Sequence, residues 1–201
     1  MASTREQIIM AMCDLMELHG YHGAGLNQVV KESGAPKGSL YHYFPDGKDE
    51  LAAEAIERAG RLVAERIEQS LAEEDVALAI GHFVEFIAGQ VEASGFQSGG
   101  PLTAVAMETA TGNERLNLAC RVAFARIEEA FAAALVQGGF PEPRAQELSV
   151  FITASIEGGT LLSRTAHSGD PLRQVARELA RLLSHEQAEV GYHAPSRGDK
   201  A

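Results

Sequence analysis

The 201-residue chain has no tryptophan, only two cysteines, and no uninterrupted apolar stretch of the about 18 residues that a membrane-spanning helix needs. Cys13 and Cys120 fall in amphipathic stretches, so we interpret them as buried thiols, with redox sensing as the less favoured alternative. A signal peptide is not recognisable either, because Asp14 interrupts the short apolar run near the N-terminus. These absences predict a cytoplasmic protein.

Basic residues are also few. The sequence has 17 Lys and Arg against 28 Asp and Glu, a net charge of −11. This balance argues against a protein that coats nucleic acid or anionic membranes without specificity. Alternating runs of β-branched residues are missing, whereas Ala and Leu abound, so the predicted fold class is all-α. The length allows one domain or a small domain fused to a larger one, and we favour two.

Motifs of enzymes and metal sites are missing as well. The sequence has no glycine-rich phosphate loop and no G-x-S-x-G elbow. His19 and His22 have a spacing that occurs in metal sites, but Gly20 separates them and no third ligand is at hand. Glu108 and His167 are isolated in the sequence. We therefore expect no catalytic residues, no metal and no cofactor, and an all-α enzyme or carrier is a disfavoured alternative.

The most informative stretch is residues 26–51, which read LNQVVKESGAPKGSLYHYFPDGKDEL. Its first part has apolar residues at helical spacing, and Gly34 stands where that helix must end and turn. Pro36 suits the first turn of a second helix because its ring fixes φ. In that helix Leu40 and Phe44 are four residues apart and can point inward together. The stretch therefore predicts a helix-turn-helix with a short second helix.

The outer face of this second helix keeps one charge, two phenols, an imidazole and a hydroxyl. Such groups can contact phosphate oxygens and base edges, and a Tyr ring can pack on a thymine methyl. Two amides in the first turn of the preceding helix could reach an adenine edge or a phosphate, or could simply be solvated. The candidate DNA-binding residues are Asn27, Gln28, Lys37, Gly38, Ser39, Tyr41, His42, Tyr43 and Lys48.

Residues 34–44, together with residues 48–51, resemble the N-terminal DNA-binding domain of TetR-family transcriptional regulators. The whole stretch 26–51 and the sequence PLTAVAMETA at residues 101–110 resemble the LmrA/YxaF-like branch of that family. Gly25 departs from the usual pattern, in which Ser or Thr caps the second helix. The resemblance implies a homodimer that binds double-stranded DNA and responds to a small molecule. For this branch it implies efflux or catabolic genes as targets and planar aromatic ligands.

Beyond residue 76 the predicted helices carry bulkier apolar residues and are interrupted by glycines. Aromatic side chains, a methionine and isolated hydroxyls are typical of an apolar ligand pocket, although core packing is the alternative for each of them. The candidate effector-pocket residues are Phe83, Phe86, Met107, Phe124, Phe151 and Ser155.

The last two predicted helices have wide apolar faces, which favour packing against a second copy of the chain rather than an intrachain face alone. The candidate dimer-interface residues are Leu148, Ile152, Leu161, Val175, Leu179 and Leu182.

The sequence thus predicts a helix-turn-helix domain at 1–47, a helical effector-binding and dimerisation domain at 48–188, and a disordered tail at 189–201. We expect a repressor that leaves a palindromic operator when an apolar or aromatic effector binds. One alternative is an activator of the same architecture. Another is an interaction module with a degenerate helix-turn-helix, because residues 1–50 carry four basic and seven acidic residues, a net charge of −3.

Overall fold

A computed structural model describes residues 2–72, 75–97 and 99–193. Within these residues the chain forms nine α-helices and no β-strand, which confirms the predicted all-α class. The helices are α1 (Thr4–Gly23), α2 (Leu26–Ser33), α3 (Lys37–Tyr43), α4 (Lys48–Ser70), α5 (Val76–Ala93), α6 (Pro101–Thr109), α7 (Glu114–Gln137), α8 (Glu142–Ala166) and α9 (Asp170–His193).

The chain folds into two compact units. The first comprises Met1–Arg66 and Ser94–Ile127, and therefore holds α1 to α3, most of α4, α6 and the first part of α7. The second comprises Ile67–Ala93 and Glu128–Ala201, with α5, the rest of α7, α8 and α9. The sequence-based boundary after residue 47 differs from this division, because most of α4 and all of α6 group with the helix-turn-helix.

In the first unit, α1 is the helix on which the others pack. It begins at Ser3, whose hydroxyl accepts a hydrogen bond of 3.2 Å from the backbone N–H of Glu6. Gly20 breaks the helix, with φ 69° and ψ 178°, and the helix then resumes to Gly23. Helices α2, α3 and α6 all contact α1. The core consists mainly of Ile8, Met12, Leu15, Met16, Val29, Leu40, Phe44, Leu51 and Ile56.

In the second unit, α9 packs against α5 and α8. Leu172, Ala176 and Leu179 on α9 are buried in this packing. Arg173 joins α9 to α5, since its guanidinium donates two hydrogen bonds to the carboxylate of Glu92, at 2.9 and 2.5 Å. The aromatic rings of Phe83 and Phe131 meet edge to face with their centroids 5.9 Å apart.

Two further sequence-based expectations concern α5 and α9. Among the described helices, α5 alone has the length and mean hydropathy, 1.3, that would suit a membrane span, but half of it is buried, as a core helix would be. Helix α9 continues to His193, so that residues 189–193 of the expected disordered tail are helical. The rest of that expected tail, 194–201, lies outside the described residues.

Candidate DNA-binding surface

The helix-turn-helix is built by α2, α3 and the turn between them. Gly34 ends α2 in the left-handed region, with φ 65° and ψ 7°, which few other residues adopt without strain. Ser33 stabilises the turn, because its hydroxyl accepts a hydrogen bond of 3.3 Å from the N–H of Ala35. Pro36 caps α3 with φ −57°, one position before the first turn where the sequence placed it. The buried side chains of Leu40 and Phe44 then hold α3 on the core.

The outer face of α3 is the exposed surface that the sequence predicted. Tyr41 and Tyr43 are 51% and 37% exposed, so that their rings and hydroxyls are accessible from outside the chain. Lys37 and His42 are exposed and Ser39 is half-buried. The rings of His42 and Tyr43 meet edge to face at 5.1 Å. The face therefore offers a cation, phenols, an imidazole and a hydroxyl to one partner.

Gly38 lies within this face and is not required by the fold. It is exposed and its φ is not positive, and a Cβ built on it would meet no described atom within 4 Å. A glycine inside a helix lowers its stability relative to alanine, by about 0.5–1 kcal/mol. The fold would therefore accept alanine at this position, and the added methyl would stand on the exposed face of α3.

On α2, the two predicted amide contacts have different surroundings. Asn27 is exposed, whereas Gln28 is half-buried and its Nε2 donates a hydrogen bond of 3.0 Å to Glu32 of the same helix. Gly25 caps the helix through its carbonyl only, which accepts from the N–H groups of Gln28 and Val29 at 2.9 and 3.0 Å. Asn27 is therefore the more available of the two side chains.

Lys48 is engaged within the chain. Its Nζ lies 3.4 Å from the carbonyl oxygen of His22 and 4.3 Å from the centroid of the Tyr21 ring. Burial lowers the pKa of Lys48. The Tyr21 hydroxyl donates to Asp49, which also accepts a hydrogen bond of 2.7 Å from Asn113, and these bonds lower the pKa of Asp49. Lys48 thus helps to hold α4 on the end of α1.

Two acidic side chains near the helix-turn-helix are paired with arginines of the first unit. Arg115 donates to Asp46 at 2.8 Å and Arg58 donates to Glu6 at 2.5 Å. The first unit contains ten Lys or Arg and twelve Asp or Glu, a net charge of −2, so that −9 of the total of −11 belongs to the second unit. The part of the first unit beyond residue 50 adds six basic and five acidic residues, so its net charge stays close to the −3 of residues 1–50, and what the fold changes is the pairing of the carboxylates.

Helix α6 is joined to α1 by two carboxylates that the sequence-based reasoning did not assign. Glu108 accepts a hydrogen bond of 2.9 Å from the backbone N–H of His22. Glu17 accepts from the N–H groups of Gly99 and Gly100, at 2.9 and 3.0 Å, just before α6 begins. Gly20 makes room for this contact, since a Cβ there would lie 1.8 Å from Oε1 of Glu108. These partners are more than 80 residues apart in sequence, so no local pattern could reveal them.

The six candidate pocket residues belong to both units. Met107, which is 77% exposed, and the half-buried Phe124 are in the first unit. The other four are in the second unit, where Phe83 is buried and Ser155 donates its hydroxyl to the carbonyl of Phe151 at 2.7 Å. A ligand pocket lined by these residues stays a prediction.

The candidate dimer-interface residues also differ in burial. Leu148, Ile152 and Leu179 are buried within their own chain, Val175 and Leu182 are half-buried, and Leu161 is 61% exposed. The other large apolar side chains exposed on α8 are Val150, Phe151 and Leu162. An interface on α8 would therefore be formed by the exposed side chains of Leu161, Val150, Phe151 and Leu162. The buried Leu148 and Leu179 would pack within their own chain.

The two thiols are free, and burial raises the pKa of each to about 11. Such thiols are largely protonated at neutral pH and react slowly. Among the described residues no group of three or more His, Cys, Asp or Glu side chains could hold a metal ion. His19 and His22 belong to no such group.

A short exposed helix held against a supporting helix by a glycine turn, in an all-α chain, defines the class of helix-turn-helix regulators. The sequence profile described as "Bacterial regulatory proteins, tetR family" matches residues 8–55. A second profile, "Transcriptional regulator LmrA/YxaF-like, C-terminal domain", matches residues 76–178. The chain belongs to the TetR family of transcriptional regulators, in its LmrA/YxaF-like branch, and is not an enzyme.

Individual relatives agree with this assignment. The HTH-type transcriptional regulator YxaF of Bacillus subtilis is 42% identical over 181 residues, which cover 90% of this chain and 95% of that protein. LmrA of the same organism is 39% identical over 181 residues, covering 90% and 96%. A TetR regulator from Chloroflexus aurantiacus superposes with a TM-score of 0.74 at 26% identity, covering 90% of this chain and 94% of that one. Reduced NemR of E. coli, at 24% identity, a TM-score of 0.76 and coverage of 88% and 94%, shares the fold.

Proposed function

We propose that this chain is a ligand-responsive transcriptional repressor that acts in the cytoplasm as a homodimer on a palindromic DNA operator. The observation that carries the proposal is the outer face of α3, where Lys37, Tyr41, His42 and Tyr43 are exposed together around a glycine that the fold does not require. In a two-fold dimer, two copies of α3 would enter successive major grooves, about 34–36 Å apart or somewhat more. Specific binding would rest on these few contacts.

The roles of the candidate contacts follow from their surroundings. Lys37 is exposed and would contact a phosphate, whereas Tyr41 and Tyr43 present rings and hydroxyls that suit thymine methyls and phosphate oxygens. Lys48 is held over Tyr21, so its role would be to fix the start of α4 while its charge attracts the DNA backbone. The pairing of Asp46 with Arg115 removes one carboxylate from repelling that backbone.

Release from the operator would follow from the binding of a small apolar or aromatic molecule. Repression needs only occupancy of the operator, and relief needs an effector with different affinities for the DNA-binding and the released conformations. The aromatic pair of Phe83 and Phe131 in the second unit, together with exposed Phe86 and Phe151, supports an effector of this chemistry.

The test is a mobility-shift titration of the full chain with a duplex taken from the DNA immediately upstream of its own gene. We expect a retarded complex whose affinity falls steeply with salt, and release of the duplex by at least one compound of a planar aromatic panel. A reporter driven by the same DNA should rise when the gene is deleted, whereas a fall would indicate an activator. Absence of any complex at low salt would contradict DNA binding and favour an interaction module.

A further inference from the structure

Thr153 on α8 carries a buried hydroxyl group. The residue is only 7% exposed, and its Oγ1 has no hydrogen-bond partner among the described residues. A buried hydroxyl without a partner destabilises a fold, because it has given up its bonds to water and gained none in return. In native structures such groups are rare and point to a function or to a bound molecule.

The neighbouring hydroxyls on α8 show that this situation is not a general feature of the helix. Ser149 donates to the carbonyl of Gln146 at 2.8 Å, and Thr165 donates to that of Leu161 at 2.9 Å. Ser163 is used differently, since its hydroxyl accepts a hydrogen bond of 3.2 Å from the N–H of Leu172. A serine or threonine inside a helix ordinarily finds such a carbonyl three or four residues back. The buried hydroxyl of Thr153 makes no such bond to any described residue.

Helical spacing puts Thr153 on one side of α8 with two other buried hydroxyl residues. Ser149 lies four residues before it and Thr160 seven residues after it, so that all three share one face of the helix. Apolar side chains such as Ile152 and Ile156 accompany them in the interior of the second unit. This face is therefore largely apolar with a line of small polar groups, which is the composition of a small-molecule site.

We propose that the Thr153 hydroxyl is the polar anchor of the effector, and that the effector is a small apolar or aromatic molecule carrying a hydroxyl or carbonyl group. The inference rests on the proposed function, because it assigns a contact to the effector that releases the DNA. A threonine hydroxyl can donate to a carbonyl or exchange a hydrogen bond with a phenol. Thr153 thus replaces Ser155, which the sequence suggested as the hydroxyl of the effector pocket. The Ser155 hydroxyl already donates its hydrogen bond to the carbonyl of Phe151.

The test uses two aromatic probes of nearly equal shape, 2-naphthol and 2-methylnaphthalene, of which only the first can form the hydrogen bond. For the wild-type chain we expect 2-naphthol to raise the melting temperature and free the upstream duplex at lower concentration than 2-methylnaphthalene does. In Thr153→Val this preference should fall by about 3- to 10-fold, the effect of one hydrogen bond. Thr153→Ser should keep it. Thr165→Val, which removes a hydroxyl bonded within the same helix, should also keep it.

The free protein gives a second readout. Thr153→Val replaces an unpartnered hydroxyl by a methyl of the same shape, so its melting temperature without ligand should rise, by about 2 °C or more. A fall would show that the hydroxyl is bonded within the fold and would overturn the proposal. Equal responses of the wild type to both probes would overturn it too, while leaving effector release intact. If no aromatic compound stabilises the chain or frees the DNA, the proposed effector release fails together with the anchor.

Discussion

Replacing Gly38 by alanine separates the needs of the fold from those of DNA binding. Because the added methyl meets no described atom within 4 Å and the backbone suits an L-residue, the fold should accept it. Alanine is favoured over glycine in a helix by about 0.5–1 kcal/mol, and for a chain of this size that corresponds to a rise of about 1–3 °C in melting temperature. We expect Gly38→Ala to be more stable than the wild type.

The same methyl should weaken operator binding. It would stand on the face that carries Tyr41 and His42, and would hold α3 away from the groove. If one hydrogen bond to DNA is broken in each half-site, binding of the dimer weakens by about 1–3 kcal/mol, which is about 5- to 150-fold in affinity. The measurement is thermal unfolding together with titration of a fluorescent upstream duplex at fixed salt.

Gly89 provides the matched control for this prediction. It lies in α5 of the second unit, is exposed, and would likewise have no described atom within 4 Å of a Cβ. Gly89→Ala should therefore stabilise the chain by a similar amount and leave DNA affinity unchanged. The reasoning is refuted if Gly38→Ala binds the duplex within twofold of the wild type, or if its melting temperature falls.

Three further predictions concern side chains. Tyr41→Ala should lower operator affinity by about tenfold or more, as titration of the duplex would measure. The dimer, followed by sedimentation, and the melting temperature should not change, because the Tyr41 ring is exposed in the free chain. Lys48→Met keeps an aliphatic side chain over the Tyr21 ring but removes the charge. The slope of log affinity against log salt concentration should become shallower by about one for each phosphate that Lys48 neutralises. An unchanged slope would mean that Lys48 serves the fold alone. Leu161→Glu should dissociate the homodimer in sedimentation while leaving the helical content intact. Leu118→Glu, in the first unit, changes a leucine that is 52% exposed against 61% for Leu161, and it should leave the dimer intact.

The sequence predicted best what depends on local chemistry. Gly34 and Pro36 indicated the turn between α2 and α3, and the spacing of Leu40 and Phe44 indicated which side of α3 is buried; the structure agrees on both. The burial of Leu148 and Ile152 was beyond such reasoning. An apolar stripe on a helix shows that a face is covered, but it cannot show whether the cover belongs to the same chain or to a second copy.

Contacts distant in sequence were also out of reach. Glu108 looked isolated along the chain, yet it accepts from His22 and fits against Gly20. The unpartnered state of the Thr153 hydroxyl is likewise a property of its surroundings, since Ser155, two residues further along the same helix, does donate to a carbonyl. A hydroxyl's partner depends on side-chain rotamer and packing, and neither is encoded in spacing alone.

The net charge of a segment is a poor measure of its affinity for DNA, and this chain shows why. Over residues 1–50 acidic residues outnumber basic ones, but the fold pairs two of these carboxylates, Glu6 and Asp46, with Arg58 and Arg115 from outside that segment. A carboxylate with an arginine beside it repels a phosphate far less than a free one does. The field near the exposed Lys37 on α3 therefore depends on which charges the fold leaves unpaired there and not on the net charge alone. Specificity in such a surface must come from shape and a few placed groups, which is why the bare backbone at Gly38 should matter as much as any of its charged neighbours.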